Sequence, residues 1–240
     1  MTQHTPTSEM MSTARMEAFS DGVFAIIVTL LILSIRMPQL PRDQVAHQLP
    51  RQLLQLWPNV LSYALSFLVV GVYWVAHHNL CKVIVKSDRG LLWLNNLFLM
   101  LAAFLPFPAA LLGEYGDQQI IIVLYAATLL LTGGCLSLLW FYCTHRRRLV
   151  NPRMSRKLVR MVHVKILILP AVAVGAVCIS FFSPRLSILV FFGAVLFYLF
   201  PSPSDEHLDQ HTELVEQGST SASAGEGARR GKAGRGAGRK

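Results

Sequence analysis

Residues 15–35 read RMEAFSDGVFAIIVTLLILSI, and the last eleven of them, from Ala25 onward, carry no charge. Four polar or charged side chains, Arg15, Glu17, Ser20 and Asp21, crowd the threshold of that apolar run. A simple membrane anchor gains nothing from them, because an aspartate at the centre of a membrane helix costs about 2.5–3.5 kcal/mol on insertion scales. Asp21 therefore either stays at headgroup level or is buried in protein with partners.

The rest of the chain says which kind of protein holds this stretch. Its 240 residues are 53% hydrophobic and 15% charged, with a mean hydropathy of +0.46. A soluble globular domain runs nearer a quarter charged, so the composition excludes one and fits a compact multi-span membrane protein. Six stretches are apolar and long enough to cross a hydrocarbon core of about 30 Å: 19–36, 59–81, 91–113, 119–142, 164–182 and 185–201. The expected fold is all-α, a polytopic membrane domain of six transmembrane helices over residues 1–201. From 202 to 240 the chain turns acidic and then Gly/Ala/Ser-rich with a basic end, too poor in apolar surface to fold, and reads as a disordered cytoplasmic tail. No cleavable signal is recognisable ahead of the first span, which is expected to be retained.

The net charge of +9 is a topology signal before it is a nucleic-acid signal. Between spans 2 and 3 lie Lys82, Lys86 and Arg89; between spans 4 and 5 lie Arg146, Arg147, Arg148, Arg153, Arg156, Lys157, Arg160 and Lys165. The opposite side holds Arg36, Arg42, Arg51 and Arg185, with Glu114 and Asp117 between spans 3 and 4. Positive charge stays in the cytoplasm, so both termini are expected inside a cell membrane, and no nucleic-acid partner is needed to explain the charge. Trp57, Trp140 and Tyr142 fall at expected interface positions, and the mildly amphipathic 45–57 reads as lying along the outer surface. The cysteines Cys81, Cys135, Cys143 and Cys178 form no CxxC pair and read as reduced core thiols.

Alternating helix direction brings three polar clusters to one cytoplasmic depth: Arg15, Ser20 and Asp21; Trp74, His77, His78 and Asn79; Asn95 and Asn96. Intramembrane polar groups mark function by default, and several readings compete. Adjacent histidines point about 100° apart on a helix, so His77 and His78 do not easily share a metal ion, and no HxxxH or CxxC accompanies them. A hydrolase on Ser20, His77 and Asp21 has the residue types, but its serine and aspartate are neighbours and no GxSxG elbow is present. The plainer reading is a hydrogen-bond network tying the first helix to the second and third, with proton relay or gating as the remaining alternative. No metal, catalytic residue or cofactor is assigned.

Ile26, Leu30 and Leu33 fall at i, i+4 and i+7, one stripe of the first helix, with Thr29 beside them as the only polar side chain in mid-span. On spacing alone such a stripe is lipid-facing or packed in a core. A hydrophobic ring can also be a channel constriction that gates by dewetting, and spacing does not separate these. The run Arg15-xxx-Phe19-Ser20-Asp21 followed by GVFAIIVTLLIL resembles the signature of the transmembrane protein 175 family of potassium channels. WVAHHNL (74–80) and LLWLNNL (91–97) resemble that family's second and third helices.

The resemblance implies a pore lined by the first helix, without a TVGYG filter, and a homotetramer of the single-repeat prokaryotic kind. Carried over by position, it makes Ile26 the innermost constriction and Leu30 and Leu33 the next layers. Thr29 becomes a residue of cation preference, and Arg15, Phe19, Ser20 and Asp21 part of a cytoplasmic-side network that holds the pore helix. The expected function is passive, moderately selective conduction of potassium ions through membrane lipid. A proton leak through the same pore is the alternative. A secondary transporter follows at a distance, because the middles of the spans hold no Asp, Glu, Lys or Arg.

Overall fold

The computed structural model describes residues 7–36, 38–145, 149–150 and 156–198. Arg146, Arg147, Arg148, Arg153 and the 202–240 tail lie outside the described residues. The chain forms α1 (Thr7–Leu31), which runs into a 3₁₀ turn (Ile32–Ser34), then α2 (Val45–Gln55), α3 (Trp57–Val83) and α4 (Arg89–Phe104). There follow α5 (Pro106–Tyr115), α6 (Gln119–Thr144), α7 (Arg156–Ser180) and α8 (Pro184–Tyr198). The architecture is all-helical, apart from one isolated antiparallel bridge, Ile84 with Val150, that ties the α3–α4 and α6–α7 connections.

Among the described residues, five helical segments are long and apolar enough to cross a membrane: Thr13–Ser34, Trp57–Val83, Arg89–Tyr115, Gln119–Thr144 and Val159–Ser180. The sixth expected span is a shorter apolar helix, Pro184–Gly193 within α8. The 15 residues of α8 rise only about 22 Å at 1.5 Å each, short of a full hydrocarbon core. The expected third span is two helices. Pro106 has no amide to continue α4 but suits the first position of a new helix, so the chain breaks at Leu105 and restarts as α5 almost in line. Pro170, by contrast, sits inside an unbroken α7.

The most extensive helix pair is α6 with α7. Gly133 lets them close: a Cβ there would collide with the Pro170 ring and come within 3.3 Å of the Tyr73 hydroxyl. That hydroxyl donates to the Leu129 carbonyl at 2.7 Å, adding α3 to the joint. Several buried hydroxyls are answered on their own helix, whereas the buried Ser137 Oγ has no partner among the described residues. Thr128 donates to Leu124 O, Thr132 to Thr128 O and Ser180 to Val177 O, all on their own helices. Ser62 reaches Ala109 O across to α5, and Ser187 reaches Ala176 O across to α7, each at 2.6 Å.

Two sequence expectations change here. Trp140 is not an interface anchor: it is buried in the core with its indole N–H donated to Val159 O at 3.1 Å, because α7 covers that side of α6. Cys178 is exposed on α7, unlike the buried Cys81, Cys135 and Cys143. The α2 helix forms as an amphipathic segment, but none of its residues is buried.

Candidate functional site

At 100° per residue the sequence of α1 divides into two faces. Met16, Ser20, Phe24, Ile27 and Leu31 are buried against α3, α4 and α5. Away from them, Ile26 and Leu30 are 60% and 45% exposed, and Leu33, in the 3₁₀ turn that continues α1, is 71% exposed, with Thr29, Phe19 and Arg15 on the same bare side. A Cβ at Gly22 on this face would meet nothing within 4 Å. The Thr29 hydroxyl donates to Ile26 O at 2.8 Å, which leaves its oxygen lone pairs to the open side. The expected stripe is therefore neither core nor capped by another helix among the described residues.

Two polar networks hold the N-terminal half of this helix. In the buried one, Ser20 Oγ donates to Met16 O at 2.8 Å and accepts from Asn95 Nδ2 at 3.0 Å. Asn95 Oδ1 is then left to accept from His77 Nε2 at 2.7 Å. Ser20, His77 and Asn95 are at most 2% exposed, so these bonds join α1, α3 and α4 out of reach of solvent. The His77 ring lies flat on Phe98, with centroids 5.3 Å apart and an 8° interplanar angle, and tilts against Phe24 at 6.0 Å.

The second network is half-exposed. Trp74 Nε1 donates to Asp21 Oδ1 at 2.9 Å, and the Trp74 indole stacks on His78 at 5.7 Å and 16°. His78 Nδ1 lies 3.1 Å from Glu17 Oε1, close enough for an ion pair but off hydrogen-bond alignment. Asp21 thus has a partner at the membrane threshold, and the two histidines serve different networks.

Arg15, Phe19 and Asn96 are exposed and stand outside both networks. Ser20, His77 and Asp21 do not assemble as a catalytic triad, since Asn95 separates the serine from the imidazole and Asp21 turns to Trp74. The described residues hold no group of three or more His, Cys, Asp or Glu placed for a metal ion. Sequence reasoning omitted Glu17, Phe24 and Phe98 from the site. The first two were signalled by helical spacing, one turn before Asp21 and one turn after Ser20. At the far end of α1, Arg36 reaches Glu114 at 3.8 Å with both side chains exposed, a contact of about 0–1 kcal/mol.

A helix pinned at one end and bare along an apolar face is suited to meet copies of itself around an axis. Comparison with known proteins identifies relatives of the chain. Residues 15–106 match the family described as "Endosomal/lysosomal potassium channel TMEM175". A potassium channel of Chamaesiphon minutus is 35% identical over 193 residues, covering 79% of this chain and 95% of the relative. A potassium channel of Streptomyces collinus is also 35% identical, over 65% of this chain and 76% of the relative. The human endosomal/lysosomal proton channel TMEM175 is 30% identical, and the match spans 37% of its length. Among solved structures, a lysosomal potassium-selective channel TMEM175 homolog from Chamaesiphon minutus superposes with a TM-score of 0.68 at 34% identity, covering 78% of this chain and 96% of that one.

Proposed function

The chain belongs to the TMEM175 family, and from that premise we propose that it is a potassium channel whose pore is lined by the bare face of α1. The observation that carries the reading is the exposure of Ile26, Leu30 and Leu33 on a helix whose other face is fully packed. One such stripe encloses nothing, whereas four copies around an axis form closed apolar rings. The functional unit in this reading is therefore a homotetramer, the assembly that the family resemblance of the α1 signature implies. The Lys/Arg bias supports a multi-pass orientation in the cell membrane with both termini cytoplasmic.

In this reading a cation crosses successive rings of Ile26, Leu30 and Leu33 and sheds part of its hydration. Potassium gives up water more cheaply than sodium, so a narrow ring without strong ligands favours it moderately. Thr29 offers the one side-chain oxygen along the constriction. Ser20, His77 and Asn95 do no chemistry on the ion; they fix the rotation of α1 so that the apolar stripe faces the axis.

The test is potassium-driven flux from purified protein in liposomes. Ile26→Asn is expected to raise flux and to lower selectivity over sodium, because a polar side chain wets the narrowest ring. Unchanged flux and selectivity would remove Ile26 from the constriction. Proton conduction is a second reading, favoured by the proton-channel names of vertebrate relatives and by half-exposed Glu17, Asp21 and His78 near the inner end. Proton-driven flux in the same liposomes, with potassium absent, separates the two.

A further inference from the structure

A cavity of about 310 Å³ lies away from the α1 face, at the end of the bundle where α3 begins, α5 ends and α8 begins. Its size reaches the lower range of ligand pockets, about 300 Å³. The walls are mostly apolar, built from Leu61 and Leu65 of α3, Leu112 of α5 and Ile188 of α8, with Ser62 beside them donating its hydroxyl to Ala109 O. Leu65, Leu112 and Ile188 also line a narrower apolar void that continues inward to Phe191 and Leu129. The mouth has the opposite character: Asp117 and Arg185 both line it, and both are exposed. Neither belongs to an ion pair among the described residues, and Asp117 accepts only a 3.2 Å bond from its neighbour Gln118. Gly113 keeps the α5 wall tight against α3, since a Cβ there would come within 3.0 Å of the Asn59 backbone.

An apolar throat with one carboxylate and one guanidinium at its lip is complementary to a zwitterionic amphiphile. We infer that this cavity binds a bilayer phospholipid with a primary-amine headgroup. One acyl chain enters between α3, α5 and α8, the phosphate sits on Arg185, and the ammonium donates to Asp117. Charge complementarity selects among lipids. A purely anionic headgroup satisfies Arg185 but leaves Asp117 facing negative charge, and a trimethylammonium headgroup has no N–H to donate. Helix α8 packs chiefly on α7, with smaller contacts to α3 and α6, so the site lies on the far side of α3 from the conducting face. It depends on membrane placement and not on conduction.

The test is native mass spectrometry of the full chain, reconstituted with equal phosphatidylethanolamine, phosphatidylcholine and phosphatidylglycerol, with retained lipid read on the protein peaks. Phosphatidylethanolamine is expected to be retained over the other two by roughly tenfold, the value of one charged hydrogen bond. Arg185→Gln and Asp117→Asn, both surface changes, should each lose most of that preference while the thermal midpoint stays at the wild-type value. Leu61→Trp, which fills the cavity, should abolish retention. Equal retention of the three lipids, preference for phosphatidylglycerol, or preference unaltered by both charge variants would each overturn the assignment. Because no readout uses flux, failure here and failure of the channel reading are separately visible.

Discussion

Asn95 is the hinge of the buried network, since its amide answers Ser20 on one side and His77 on the other. Truncating it strands the buried His77 Nε2 and takes from Ser20 one of its two bonds, the other being to Met16 O. Asn95→Ala is therefore expected to cost about 1–3 kcal/mol, the penalty of one unsatisfied buried group, read as a lower unfolding midpoint in detergent. Asn96→Ala, on the exposed neighbour, should stay within about 0.5 kcal/mol of wild type. Equal effects would mean that the network does not hold α1. The sequence placed both asparagines and both histidines at one depth through helix alternation. It could not choose within either pair, because adjacent residues differ only in azimuth. Azimuth was decided by the Phe24 and Phe98 rings, which leave a flat slot for His77 and none for His78.

At the scale of the element, α1 offers a test of which face meets water and ions. In a Cys178→Ser background, cysteine at Ile26, Leu30 or Leu33 should make potassium flux sensitive to silver ions, whereas Ile27→Cys, 1% exposed in the protomer, should not. Sensitivity at Ile27 with none at Ile26 would rotate the pore face away from the stripe. For the α6–α7 pair, Gly133→Val drives two methyl groups into the Pro170 ring and should lower stability by about 1–3 kcal/mol. A Gly133→Val protein that melts with wild type would show that the helices can separate freely. Helix positions were legible because long apolar runs mark spans, but the break at Leu105 was not, since a proline inside an apolar run fits a kink as well as a restart. The burial of Trp140 was not legible: an indole near a basic run has the same pattern whether lipid or a neighbouring helix covers it.

For the whole molecule, the proposed function makes the protomer incomplete as a conductor, because one apolar stripe encloses no pore. Co-reconstituted wild-type and Ile26→Asn subunits should give single-channel conductances between the two parental values, because mixed rings hold both residues. Parental conductances alone would mean that each protomer encloses its own path. The single-chain sequence carries assembly only indirectly, since a face that packs on copies of itself and one that faces lipid are both apolar.

The way the buried polar groups are answered also bears on how the chain enters the bilayer. Thr128, Thr132 and Ser180 bond carbonyls of their own helices, so α6 and α7 can each leave the translocon with those groups already satisfied. His77 and Asn95 answer each other across helices, and either alone would stand unpartnered in hydrocarbon. Only residues 84–88 separate α3 from α4. Biogenesis should therefore deliver α3 and α4 to the lipid as one hairpin, onto which an already waiting α1 docks its serine.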